Sequence, residues 1–181
     1  TDLSGEPNHV VEEGGEDART SGTFAANCLL ARRLAERGVR FIQLYHPGWD
    51  QHGSLQRDIT RQTRETDQPT AALIRDLKER GLLESTIVLW TGEFGRLPTA
   101  EGKPDVKTQG RDHNRNAFSL ILSGGGFRSG HIHGATDEFG YRSVEGRVSV
   151  PDLHATLLHQ LGLDHRKLTY RHHGRDETLT D

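Results

Sequence analysis

Apolar residues in this chain recur first at helical and then at strand spacing. Phe24, Cys28, Ala31 and Ala35 follow one another at intervals of four, three and four, which predicts one helical face over residues 21–37. Gly38 supplies the stop, and the largely apolar Phe41-Ile42-Gln43-Leu44-Tyr45 predicts a buried strand over 39–45. Residues 55–68 are charged and read as partly helical. Pro69 suits the first turn of a further helix, capped by Asp67 or Gln68, with Leu73, Ile74 and Leu77 as its buried stripe and Gly81 as its end. The continuous Thr86-Ile87-Val88-Leu89-Trp90 predicts a second buried strand. Strand, helix and strand in that order predict a parallel pair.

Residues 97–112 form a polar excursion without helical spacing, and a strand is predicted directly after it, over 117–122. With no crossover helix between them, this strand is expected to run antiparallel to the preceding one. Ser123-Gly124-Gly125-Gly126 reads as a turn, because it lacks the lysine and the helix start of a phosphate loop. The glycine-rich stretch 129–147 reads as extended, with a short hairpin near Gly140-Tyr141. Pro151-Asp152 opens a last helix whose apolar face is Leu153, Leu157, Leu158 and Leu161, closed by Gly162. The polar tail, with His172-His173-Gly174-Arg175-Asp176, gives no reading by itself. Residues 1–20, acidic and without periodicity, read as a linker or mobile loop ahead of a domain over 21–181. The fold class expected is α/β.

Composition changes this picture in one respect. Only 32% of the 181 residues are hydrophobic and the mean hydropathy is -0.71, polar for a chain with one domain's worth of core. Either much of the chain is loop, or it buries surface against a partner. The absence of Met and the acidic, loop-like start favour the second, and the chain reads as the C-terminal part of a longer protein, with a processed mature chain as the alternative. The net charge of -3, from 23 basic and 26 acidic residues well interspersed, gives no electrostatic footprint for nucleic acid or an anionic membrane. No apolar run approaches the roughly 20 residues of a membrane span. One cysteine excludes an internal disulfide, and eleven histidines are the compositional anomaly.

Those histidines direct attention to Trp49-Asp50-Gln51-His52-Gly53. In an extended segment Asp50 and His52 leave the backbone on the same side, just past a predicted strand, and together they offer a carboxylate and an imidazole to a divalent metal. The spacing is weak by itself, since a surface loop with a polar histidine would look the same. Glu93 stands just past the second strand, and ligands in open α/β sheets bind at such carboxyl ends. An antiparallel return brings His113 to the same edge, with Asp112 beside it. Asp50, His52, Glu93 and His113 are therefore the expected ligands of one or two divalent ions. Mixed nitrogen and oxygen donors suit Zn or Mn, and more oxygen would favour Ca or Mg. Arg96, Arg111 and Asp112 are the expected substrate contacts; an arginine fork fits an oxyanion, and the alternative for each arginine is a plain surface ion pair.

Several phrases in fixed order resemble a known group: Gly92-Glu93-Phe94-Gly95-Arg96, Gly110-Arg111-Asp112-His113-Asn114, Gly134-Ala135-Thr136-Asp137-Glu138-Phe139-Gly140-Tyr141 and Asp152-Leu153-His154-Ala155-Thr156-Leu157-Leu158. They are similar to a bacterial sulfatase-like family, catalogued as domain of unknown function fifteen-oh-one, of the alkaline phosphatase superfamily. The resemblance runs from about residue 28 to 181 and implies the C-terminal half of such a protein. It implies an α/β sheet sandwiched by helices, and hydrolysis of phosphate or sulfate esters, small or glycan-borne, beside one or two divalent metals. It also implies a nucleophile in an N-terminal half, the natural partner of this chain, and a place in the cell envelope or periplasm. Asp50 and His52-Gly53 resemble the superfamily's metal motif with tighter spacing, and His113 its later single metal-binding histidine. Phe94 departs from the pattern, standing where the superfamily commonly has a histidine after its acid. Cys28-Leu29-Leu30-Ala31-Arg32 superficially resembles the sulfatase nucleophile signature, but Leu30 replaces its central proline and Cys28 falls on an apolar helix face. The departures leave two rival expectations: a metal-stabilised scaffold, or a module that binds sulfated or phosphorylated glycans without turnover.

Overall fold

The computed structural model describes residues 3–102, 105 and 107–180. A helical part comes first: α1 (Asn8–Glu13), a 3-10 turn (Glu16–Arg19), α2 (Phe24–Glu36) and α3 (Leu55–Glu79). Short strands follow, namely β1 (Ile87–Trp90), β2 (Gly95–Arg96), β3 (His113–Asn114), β4 (Ile121–Gly124), β5 (Ala135–Thr136) and β6 (Ser143–Glu145). The helix α4 (Val150–Gln160) and a closing hairpin, β7 (Thr169–His172) and β8 (Arg175–Thr178), complete the chain. No helix among the described residues is long and apolar enough to cross a membrane.

The apolar core lies in the helical part, where Val10, Val11, Ala18, Ala25 and Leu29 pack together. Within residues 3–20, expected as linker or mobile loop, α1 and the 3-10 turn supply three of those side chains. Three apolar residues among many acids lack the periodicity that would announce a helix, and tertiary packing orders them. Helix α2 matches its expected bounds closely, with the Thr23 hydroxyl accepting from the Ala26 amide as its N-cap.

Helix α3 departs from expectation, being one 25-residue helix with Pro69 inside it and not a helix that begins there. Proline removes one backbone bond and crowds the preceding turn. Here its ring is buried in the stripe Gln62, Thr66, Pro69, Ala72 and Asp76, and packing on α1 and α2 carries the helix through. Most of that stripe is polar; of the leucine-based face expected from the sequence, Leu77 is buried as expected, while Leu73 and Ile74 are half-buried at its edge. Arg32, 3% exposed, binds the stripe to α2: its Nε donates to Asp76 at 2.8 Å and its Nη1 to Glu36 at 2.7 Å, while Glu6 closes the third side.

The sheet is where expectation and structure differ most. Residues 39–45 form no strand, so the parallel pair with β1 does not exist among the described residues. Their side chains do alternate: Ile42 and Leu44 are half-buried while Phe41 and Tyr45 are 78% and 80% exposed. Strand β1 was expected to be buried, yet Leu89 and Trp90 are exposed, because among the described residues β4 is its only ladder partner. That partner is the predicted one in the predicted sense, with Ile87 opposite Gly124 and Trp90 opposite Ile121, antiparallel. The strand itself is shifted from 117–122 to Ile121–Gly124. The strands form four separate two-stranded antiparallel ladders, β1-β4, β2-β3, β5-β6 and β7-β8. The chain is mixed α/β; the described residues do not build the wide sheet of an alkaline phosphatase.

The turns follow the sequence better. Gly124, Gly125 and Gly126 all take positive φ, and the Phe127 amide closes the turn on the Gly124 carbonyl at 3.0 Å. The hairpin expected near Gly140-Tyr141 is β5-β6. Helix α4 begins at a reciprocal capping box in which Ser149 and Asp152 bond each other's backbone amides.

Candidate metal centre

The site lies where the ladder β1-β4 runs into β2-β3. Because Trp90 pairs with Ile121 and Gly95 with Asn114, residues 91–94 and 115–120 are the two sides of one interrupted hairpin. Arg96 is directly opposite His113 in that register. A side chain on Gly95 would run into the Ala117 carbonyl, so only glycine lets the two strands meet there.

The loop 46–53 is brought to this point by bonds to α3 and by a run of rings. His46 Nε2 is 2.9 Å from Glu65, and its Nδ1 accepts from the Trp49 indole at 3.2 Å. Gln62 and Gln51 both donate to the Gly48 carbonyl, at 2.8 and 2.6 Å. Edge contacts pass from Phe24 to His46, from His46 to Trp49 and from Trp49 to Trp90, linking α2 to the end of β1. Between loop and strands lie the described parts of the polar excursion, 97–102 and 107–112. The Ser54 and Leu55 amides donate to Thr108 and Gln109 at 3.3 and 2.9 Å, and the Arg111 amide donates to the Gln51 carbonyl at 2.9 Å. Ser54, the residue before α3, is held at φ 50, an uncommon left-handed conformation for a residue with a side chain.

Three of the four expected ligands meet. His52 Nε2 and His113 Nε2 each lie 2.9 Å from Asp50 Oδ1 and 3.1 Å from one another. Two ligand atoms of an octahedral ion with bonds of 2.0–2.1 Å are about 2.9 Å apart and those of a tetrahedral one about 3.3 Å, so the donor triangle has the size a small divalent ion needs. All three side chains are substantially open to solvent, at 63%, 40% and 44% for Asp50, His52 and His113. Glu93, the fourth, is exposed on the turn before β2 and belongs to neither group of converging donors among the described residues. A second group, His52, Glu101 and Asp112, converges on the other side of the His52 ring.

Charge is concentrated on Asp50. Hydrogen bonds from His113 and then from Arg96, whose Nη1 is 2.7 Å away, hold its carboxyl down at about 2. The His52 imidazole is shifted upward, chiefly by its hydrogen bond to Glu101. The two shifts have different chief causes, but at the cluster itself two ring nitrogens and a carboxylate oxygen crowd one point, and the lone pairs there require a proton or a metal cation between them. Of the expected substrate contacts, Arg96 is at the cluster and also lies over the Phe94 ring, 5.5 Å from its centroid. Arg111 instead turns to the Leu97 carbonyl, at 3.0 Å. Asp112 caps the chain locally, its Oδ1 accepting from the His113 amide at 2.7 Å.

The sequence profile of the family described as Protein of unknown function (DUF1501) matches residues 1–181. The chain belongs to this family. No curated protein and no solved structure matches the chain. The wider relation to sulfatases and alkaline phosphatases rests on the sequence phrases alone. Glu101 is the residue that the sequence reading missed. It stands in a polar stretch without periodicity, and nothing local marks it as a neighbour of His52, 49 positions away. Cys28 is settled differently: it is buried on the inner face of α2, and burial pushes its thiol up to about 12, which leaves it inert as a nucleophile.

Proposed function

We propose that Asp50, His52 and His113 hold a divalent cation in a hydrolase of sulfate or phosphate esters. The observation that carries this reading is the convergence of one carboxylate oxygen and two imidazole nitrogens, 2.9–3.1 Å apart, from segments 61 and 63 residues distant. Two nitrogens and an oxygen are a donor set that suits zinc or manganese, with magnesium or calcium the alternatives where water completes the shell. When bound, the ion would polarise an ester oxygen and favour an attacking oxygen at neutral pH. Arg96, beside Asp50, is placed to pair with the non-bridging oxygens of a tetrahedral sulfate or phosphate. None of the three clustered side chains is free to attack while it holds the ion, so the nucleophile comes from water or from another group. The similarity of the Glu93–Arg96 and Gly110–Asn114 phrases to sulfatase-like proteins supports the choice of ester.

One observation favours a second reading. Phe94 stands where the resemblance implies a ligand, and it packs on His113 in place of binding an ion. A metal-stabilised scaffold, or a module that binds sulfated or phosphorylated glycans, would tolerate that change. Assays of the purified protein on aryl sulfate and aryl phosphate, with zinc, manganese, magnesium and calcium in turn, separate the two. Turnover abolished by His52→Ala and by His113→Ala supports the hydrolase. Bound metal without turnover of either ester supports the second reading.

A further inference from the structure

We propose that Glu101 is the positioning residue of this centre, fixing the His52 ring so that Nε2, and not Nδ1, faces the cation. The proposal rests on the metal reading above. His52 Nδ1 is 2.7 Å from Glu101 Oε2, while Nε2 is 2.9 Å from Asp50 and 3.1 Å from His113. A neutral imidazole has one N–H and one lone pair. Asp50 faces Nε2 as Glu101 faces Nδ1; once a cation takes the Nε2 side, the single proton of the neutral ring goes to Nδ1, where Glu101 accepts it, and the Nε2 lone pair is left for the ion.

The two converging groups share His52, and both cannot hold ions through it, since a neutral ring has a single lone pair to give. The Nε2 side has the better claim. Asp50 and His113 both present donor atoms to it, whereas on the Nδ1 side Asp112 already accepts the His113 amide. Glu101 is accordingly an outer carboxylate and not a ligand.

The excursion that bears Glu101 is built to hold it there. The Glu101 amide donates to the Gly110 carbonyl at 2.9 Å and the Gly110 amide returns the bond at 3.2 Å. A Cβ on Gly110 would overlap the backbone of His52 and Gly53, so glycine alone permits the two segments to lie in contact. Together with the bonds from Thr108, Gln109 and Arg111 to loop 51–55, this makes the polar excursion a clamp across the back of His52.

The test compares wild type, Glu101→Ala and Glu101→Gln in two measurements. One is the ¹⁵N spectrum of the His52 ring in the zinc-loaded protein. The other is zinc affinity by chelator competition. Wild type is expected to carry the proton on Nδ1. Glu101→Ala is expected to shift it toward Nε2 and to lower zinc affinity about 10- to 100-fold. Glu101→Gln, whose amide oxygen still accepts from Nδ1, is expected to keep the tautomer and restore most of the affinity. An unchanged tautomer and affinity in Glu101→Ala overturn the proposal, as does an equal loss in both variants, which would make the role one of charge. A wild type that takes up none of zinc, manganese, magnesium or calcium overturns the metal reading and the proposal with it, whereas a wild type that binds isolates the failure to Glu101.

Discussion

The Phe94 ring lies 4.2 Å from the His113 imidazole, centroid to centroid, with the two planes inclined by 38°. Phe94 is therefore a shelf for a candidate ligand. Its contact restricts the His113 ring as Glu101 restricts that of His52. Ring pairs of this kind contribute about 0.5–1.5 kcal/mol beyond the area they bury. Phe94→Ala is expected to weaken zinc binding by about 2- to 10-fold, the same energy expressed as a ratio, while leaving thermal stability nearly unchanged. Titration calorimetry on the two proteins reads the difference.

Arg32 links α2 and α3, touching Asp76 and Glu36 while its own side chain is 3% exposed. Without it Asp76 keeps Arg80 Nε, 2.6 Å away, and Glu6 keeps Arg33 Nε, 3.4 Å away, so neither carboxylate is left unpaired. Loss of charge-assisted hydrogen bonds from such a network costs about 1.5–3 kcal/mol. Arg32→Ala is expected to lose stability on that order in urea unfolding.

The α4 capping box gives a pH signature. The Ser149 hydroxyl, followed by its backbone amide, lowers the Asp152 carboxyl below its ordinary value. A depressed folded-state value means that the cap stabilises above the unfolded carboxyl's range and that this contribution fades as pH falls through the folded value. The difference in hydrogen-exchange protection of α4 amides between wild type and Asp152→Asn should be full at about pH 6, above the unfolded carboxyl's range, and shrink as pH falls below that range through the lowered folded value.

How much of this was legible in the sequence depends on which forces set each element. Helices α2 and α4 were readable because apolar period and stop agree locally, with Gly38 and Gly162 as the stops and Pro151-Asp152 opening α4; the caps Thr23 and Ser149 are seen only in the structure. The antiparallel return of β4 was readable from the missing crossover. Continuity of α3 through Pro69 was not, because it depends on a buried polar stripe that hydrophobic spacing cannot show. Residues 39–45 have strand-like alternation, but a strand needs a ladder, and no described segment lies beside them to form one. At the site, Asp50, His52 and His113 were predicted from positions relative to strand ends. They meet although one of the two strands invoked did not form, because Gln62, Glu65 and Trp90 hold the loop in its place. Glu93 and Arg111 have the right residue type in the right phrase, yet side-chain direction, which the sequence does not show, turns them elsewhere.

Cys28 offers a check on the helical packing that is independent of the site. With its thiol pushed up to about 12 by burial, it should react with a disulfide reagent at neutral pH only as fast as the helices open. Full reactivity is expected in denaturant. Rapid labelling of the native protein would show that α2 is not packed as described.

Metal uptake by the Asp50–His52–His113 triangle is the central claim, and titration calorimetry with elemental analysis addresses it most directly. Wild type is expected to bind zinc or manganese with one ion at this triangle, and His52→Ala and His113→Ala are each expected to lose that ion without unfolding. Absence of any bound divalent ion in the wild type, or uptake unchanged in both variants, would contradict it.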